Sequence, residues 1–212
     1  MPSRTQKTEK WNKKILFNIL KEIDALLFDL DGTLFDLNVN WKEIKEHFKE
    51  YTRKTHNLNL PSNRFHENFT FIEKELGKDA LEYYHKYLEI QEGKTIEEGK
   101  SKPTWLFLRG LKTLKKMVGK NTLWGIVSSN FHSSIEKILK KFKNGFPFRI
   151  LIGRDDVIKA KPNPEGLLKI IKQKKLSPSK VLFIGDTQTD EKAAKAANVN
   201  FIYIQDLEKI DL

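Results

Sequence analysis

Four short stretches of this sequence carry acids, hydroxyls or a lysine at spacings that could do chemistry. Asp29 and Asp31 stand two apart after the apolar run Ala25-Leu26-Leu27-Phe28; Ser128 and Ser129 follow Ile126-Val127; Lys161 opens Lys-Pro-Asn-Pro-Glu; Asp186 and Asp190 follow the run from Val181 to Ile184. Residues two apart on an extended chain face the same side, so Asp29 and Asp31 can address one substrate together. Carboxylates gathered at one rim repel each other unless a cation sits among them. An oxygen-only donor set without a His or Cys cluster suits a hard ion such as Mg²⁺, which keeps several waters and takes one or two carboxylates. A lysine and serine hydroxyls on the same rim would receive an anion, and a phosphoryl group bridging Mg²⁺ and Lys161 satisfies both halves. Each residue also has an ordinary reading: Asp190 near the N-cap of an Ala-rich helix, the serines in a turn, Lys161 as one more surface lysine. Jointly, beside a buried strand, they read as a site.

The elements that must position them follow from periodicity. The basic start of the chain leads into a short amphipathic helix through Trp11, Ile15, Phe17, Ile19, Leu20 and Ile23, and Ala25 to Phe28 reads as the first buried strand. From Leu37 to Gly99 the pattern is helical throughout: Trp41, Ile44, Phe48 and Tyr51, then Phe65, Phe69, Ile72 and Leu76, then Leu81, Tyr84 and Leu88, punctuated by Gly77, Gly93 and Gly99. After Pro103 helices and strands alternate: a helix through Leu108, Leu111 and Leu114, strand Leu123 to Val127, helix Ser133 to Phe142, strand Phe148 to Ile152, helix Pro164 to Lys174, strand Val181 to Ile184, helix Glu191 to Ala197 and strand Phe201 to Ile204. Strands separated by helices pair in parallel through right-handed crossovers, giving an α/β, doubly wound parallel sheet. Function then belongs at the carboxyl ends of the strands, where the four stretches stand.

These stretches carry a resemblance. Phe28-Asp29-Leu30-Asp31-Gly32-Thr33-Leu34-Phe35-Asp36 resembles the first motif, DxDGT, of the haloacid dehalogenase-like hydrolase superfamily. Ile126-Val127-Ser128-Ser129-Asn130 resembles its second, Lys161-Pro162-Asn163-Pro164-Glu165 its third, and Ile184-Gly185-Asp186-Thr187-Gln188-Thr189-Asp190 its fourth, GDxxxD. Order, spacing and strand-end position agree from about residue 24 to 204. The resemblance implies a Rossmann-like core at 24–36 and 100–212 and a small helical cap at 37–99 like that of the phosphoglycolate phosphatase-like and beta-phosphoglucomutase-like members; the basic, partly helical segment at 1–23, read from charge and periodicity, is an unusual addition before the first motif. It implies Asp29 as nucleophile, Asp31 as acid and base, Ser128 and Lys161 as partners of the phosphoryl group, and Mg²⁺ held by Asp29, Asp186 and the backbone carbonyl of Asp31, with Asp190 acting nearby. Ser129 joins Ser128 and Lys161 on the substrate side. In the cap, Lys54 and Arg64, with Arg53 and His66, could reach an anionic leaving group or face solvent. The chain has Asn198 where the family normally has Gly, and Asn tolerates the left-handed turn required there. It also has Pro103-Thr104-Trp105 where a Pro-Gly pair often stands.

Composition bounds the rest. The chain has 212 residues with 39 Lys and Arg against 28 Asp and Glu, a net charge of +11, and no Cys, which excludes disulfides, thiolate zinc sites and a Cys nucleophile. The sequence contains no apolar run of membrane-spanning length and no leader pattern, so a cytoplasmic protein without a membrane partner is expected. The lysine runs are dispersed over several helices, which reads as solvated faces rather than a nucleic-acid track. The expected function is Mg²⁺-dependent hydrolysis of a small anionic phosphate ester, phosphoglycolate or a sugar phosphate, through an aspartyl phosphate. A phosphomutase of the same superfamily and a non-catalytic basic module binding nucleic acid or protein are the alternatives.

Overall fold

The computed structural model describes residues 11–142 and 148–210 of the chain. Five parallel strands form the main sheet: β1 (Ala25–Phe28), β4 (Leu123–Val127), β5 (Ile150–Ile152), β6 (Val181–Gly185) and β7 (Asn200–Tyr203), in spatial order β5-β4-β1-β6-β7. β1 is central and all four of its residues are buried, because both faces are covered. Its side chains alternate: Leu26 and Phe28 enter one core cluster with Trp124, Ile126, Leu182 and Ile184, while Ala25 and Leu27 enter another with Val127, Val181 and Phe183. The first cluster takes in α1 (Lys13–Glu22), α5 (Leu111–Met117), α6 (His132–Lys141) and α9 (Ile204–Ile210); the second takes in α7 (Glu165–Lys174) and α8 (Gln188–Ala196). Helices therefore cover both faces, as in a doubly wound, Rossmann-like fold.

Between β1 and β4 the chain runs through β2 (Phe35–Asp36), three helices and β3 (Lys102–Pro103). The helices are α2 (Trp41–His56), α3 (Phe65–Leu76) and α4 (Lys78–Glu97), and they share Phe48, Phe69, Ile72, Tyr84 and Leu88 in their interior. Thr52 and Tyr84 hydroxyls meet there at 2.7 Å. β2 and β3 pair antiparallel, Phe35 opposite Pro103 and Asp36 opposite Lys102, so the chain leaves for the three helices and returns from them side by side.

Several details depart from the periodicity. The buried stripe of α1 is Leu16 and Leu20, continued by Ile23 just past its end, at i, i+4 and i+7, while Ile15 and Phe17 stay exposed; the part of the expected frayed start before Trp11 lies outside the described residues. Gly93 does not end a helix but lies buried inside α4, where a β-carbon would meet the Lys137 ammonium of α6 at 3.1 Å. A π-helical stretch at Leu106–Gly110 precedes α5 and rotates the apolar face, burying Leu106 and Phe107 and exposing Leu108. Asn198 does take the left-handed conformation after α8, with φ of 56°.

Candidate active site at the carboxyl edge of the sheet

Phe28 pairs with Ile126 of β4 and Ile184 of β6, so the residues that follow these three strands emerge together. β1 is also where the topology divides, because the chain next visits β4 and β5 on one side and later β6 and β7 on the other. Such a division opens a crevice between β1 and β6. Asp29 stands in it, its N–H donating to the Ile184 carbonyl at 2.8 Å. Lys161, from the loop before α7, sends its Nζ to Asp29 Oδ1 and Asp190 Oδ1, each at 2.5 Å, and all three side chains are buried. The other oxygen of Asp190 accepts from Thr187 N–H at 3.1 Å and Thr187 Oγ1 at 2.7 Å, closing a capping box on α8. Asp31 turns its Oδ1 to the Leu37 N–H at 2.9 Å. Gly32 has φ of 84° and lies so close to Asp186 that a β-carbon would collide with the carboxylate. No other residue fits this turn without displacing Asp186.

The electrostatics follow from burial. Desolvation, only partly offset by Lys161 and reinforced by Asp190 and Asp186, pushes the Asp29 carboxyl up. Desolvation and Asp190 push Asp186 up to about 7. Burial alone would neutralise Lys161, but Asp190 and Asp29 outweigh it and hold the ammonium above the ordinary lysine range. Burial raises Asp31 as well, against the hydrogen bond from Leu37. Oxygens of Asp29, Asp186 and Asp190 lie within 4.8 Å of one another, and Asp186 Oδ1 is buried with no hydrogen-bond partner among the described residues. An oxygen-only cluster with an orphaned carboxylate oxygen and too much negative charge for one lysine fits a hard divalent cation. Asp190 fits it least directly, since Lys161 holds one of its oxygens and Thr187 donates twice to the other, whereas Asp29 Oδ2 accepts only a long 3.5 Å contact from Thr33 Oγ1. The Asp31 side chain lies outside the cluster, which leaves its backbone carbonyl as the ligand that the resemblance implies.

Ser128 is buried with its Oγ donating to Asn130 Oδ1 at 2.8 Å, so it must turn away from Asn130 to meet an anion. Ser129 borders the crevice: a cavity of about 310 Å³ is lined by Asp29, Asp31, Lys161, Asp186 and Asp190 from the sheet side and by Trp41, Lys45, Phe65, Leu88 and Glu92 from α2, α3 and α4. Lys54 borders neither this cavity nor its neighbours; it pairs with Glu50 at 2.6 Å in the last turn of α2. Nine residues of helix put it ~13 Å beyond Lys45, the α2 lysine that does face the crevice. Arg64 borders an adjoining cavity with Lys45, Lys161 and Thr187, while pairing with Glu67 at 3.0 Å. Three residues that sequence reasoning passed over complete the surroundings. Glu92 continues the Tyr84 and Leu88 stripe of α4 at i+4; it is fully buried and accepts from Asn130 Nδ2 and the Phe131 N–H, each at 3.0 Å. An acid on an apolar stripe was the signal. Asn130 and Arg154 follow β4 and β5 closely, the positions where functional side chains were sought for the other strands.

The sequence profile of the haloacid dehalogenase-like hydrolase family matches residues 26–204. A phosphoglycolate phosphatase of Escherichia coli K12 is 33% identical over 105 residues, which is 50% of this chain and 40% of that protein. Among solved structures, a haloacid dehalogenase-like hydrolase from Bacteroides fragilis is 26% identical and superposes with a TM-score of 0.60, covering 88% of this chain and 93% of that one. CbbY from Rhodobacter sphaeroides in complex with phosphate, at 18% identity and a TM-score of 0.62 over 85% of both chains, shares the fold. With the profile spanning the whole core from β1 to the end of β7, the chain belongs to the haloacid dehalogenase-like hydrolase family.

Proposed function

We propose that this protein is an Mg²⁺-dependent phosphatase that hydrolyses a small phosphate monoester through an aspartyl phosphate on Asp29. The observation that carries the reading is the buried Asp29, Lys161, Asp190 triad beside the orphaned Asp186 oxygen: a carboxylate nucleophile held in place, with a cation slot next to it. Asp29 attacks phosphorus, the bond to the leaving-group oxygen breaks, and Asp31 delivers its proton to that oxygen. Burial favours this by keeping the Asp31 carboxyl protonated to higher pH than an exposed aspartate. Water then attacks the acyl phosphate as Asp31 takes a proton back, and inorganic phosphate leaves. Lys161 fixes the nucleophile and offsets phosphoryl charge, and Ser128, once rotated from Asn130, donates to a phosphoryl oxygen. Asp29, Asp186 and the Asp31 carbonyl would hold Mg²⁺, which when bound supplies further positive charge to the phosphoryl oxygens.

The helices at 37–99 act as a cap. Trp41, Lys45, Phe65, Leu88 and Glu92 roof the crevice, which excludes bulk water during the transfer. The name of the curated relative makes phosphoglycolate a first candidate substrate, beside sugar phosphates. The test is a turnover screen over phosphate esters with and without Mg²⁺, on the wild type and Asp29→Asn. Wild-type release of phosphate that needs Mg²⁺ and falls at least about 1,000-fold in folded Asp29→Asn is expected. Undiminished turnover in that variant, or after exhaustive chelation, sinks the covalent or the metal part respectively.

A further inference from the structure

Arg154 lies in the turn after β5, and its stem is tied down twice. Its N–H donates to the Asn130 carbonyl at 2.8 Å and its Nε to the Ser129 carbonyl at 2.9 Å, so it is fastened to the loop that follows β4. The guanidinium stacks over Phe69 of α3, 5.1 Å from the ring centroid. Its two terminal nitrogens make no hydrogen bond and no ion pair among the described residues. Glu92 is the carboxylate that most offsets its charge, yet both Glu92 oxygens are already taken by Asn130 and Phe131. Arg154 is half-buried and lines the 310 Å³ cavity of the crevice and two adjoining ones of about 450 and 480 Å³, so its free edge faces the clefts around the site. Partial burial lowers its pKa. Lys45 shares two of these cavities, lies 5.4 Å over the Phe65 ring, and likewise has no carboxylate partner among the described residues. Lys161, by contrast, is spent on Asp29 and Asp190.

A guanidinium fork with a rigid stem and no partner, facing a cleft, is a receptor for an oxyanion. We propose that Arg154, with Lys45 beside it, binds a second anionic group, a carboxylate or a second phosphate, on the leaving group of the ester, and so decides which phosphate esters are hydrolysed. This deepens the phosphatase reading and rests on it. An ester without the second charge covers the fork while leaving it unpaired, and discrimination against it is large for that reason.

The test uses two matched pairs of esters on the full-length chain. One pair is 2-phosphoglycolate and 2-hydroxyethyl phosphate, which differ by a carboxylate exchanged for a hydroxymethyl group; the other is a sugar bisphosphate and its monophosphate. Wild type is expected to prefer the doubly charged member of at least one pair by about 100-fold in kcat/KM, chiefly through KM. Which pair shows it identifies the second group. Arg154→Gln should bring that ratio to within about tenfold of unity, and Arg154→Lys, which keeps the charge without the fork, should fall between. Lys45→Gln should lower the same ratio independently. A ratio between two esters on one preparation does not depend on how much of it is folded. No preference in either pair, or a ratio unchanged by Arg154→Gln, overturns the proposal, as does an equal fall for both members of a pair, which would reduce Arg154 to a brace for the Ser129 loop. Were the wild type to hydrolyse no phosphate ester, the phosphatase reading would fall, and this assignment with it.

Discussion

Asp190 divides two tasks between its two oxygens: one receives the Lys161 ammonium and the other caps α8 through Thr187. Lys161 is in turn the charge that lets Asp29 and Asp190 be buried together. Lys161→Met should therefore destabilise the fold by about 3–5 kcal/mol at neutral pH, because it strands two carboxylates in a dry site. Urea unfolding checks this, and the loss should shrink in acid, where those carboxylates protonate. The acids, serines and lysine of this site were legible because each stands within a few residues after an apolar strand or, for Lys161, opens a Lys-Pro turn. Arg154 was not, because a lone arginine in a chain with 39 basic residues carries no spacing signal until the fold shows what its fork faces. Lys54 was overestimated for a related reason: sequence shows that a lysine is on α2 but not which end of the helix meets the crevice.

Glu92 joins α4 to the start of α6 across the crevice, and its burial makes that joint depend on pH. Burial pushes it up to about 7 from an ordinary 4.5, against the hydrogen bonds from Phe131 and Asn130 and the charge of Arg154. An acid raised on folding binds its proton more tightly in the native state, so stability is greatest in acid and is lost as pH rises from about 4.5 through about 7. The loss should approach about 3 kcal/mol. Denaturant unfolding of wild type and Glu92→Gln at pH 5 and pH 8 measures it: the variant should gain on the wild type at the higher pH, and a pH-independent difference would contradict the assignment. Asn198→Gly should be neutral or slightly stabilising, whereas Asn198→Val should lower stability by about 1 kcal/mol in a thermal melt, since a β-branched residue resists the left-handed turn. The long helices and the buried strands were readable because their apolar periods run for several turns or several residues. β2 and β3 were not, because two residues each is too short for any period to register. Nor was α9, whose seven residues begin directly at the end of β7.

Across the whole molecule the net charge of +11 sets a field that draws anions toward it. For a doubly charged ester, kcat/KM should fall as salt is raised from about 10 to 200 mM while kcat holds, because screening acts on encounter. A stopped assay series at fixed pH reads this directly. Among the described residues no helix is long and apolar enough to cross a membrane. The parallel pairing and the doubly wound class followed from the alternation of elements, whereas the strand order and the contact of the three helices α2, α3 and α4 with one crevice needed coordinates, since they depend on how the elements cross. The pairing of β2 with β3 has one more consequence. The two points where the insertion leaves and rejoins the core are neighbours in one ladder, so the entropy of closing that loop is already covered by the core and grows only slowly with whatever chain is placed between them. The scaffold is thus built for exchange: a foreign helical insertion grafted between Asp36 and Lys102 can bring a different roof to the same sheet edge, provided that it covers Phe131, which now meets His85 of α4, and supplies the N–H that Leu37 gives to Asp31.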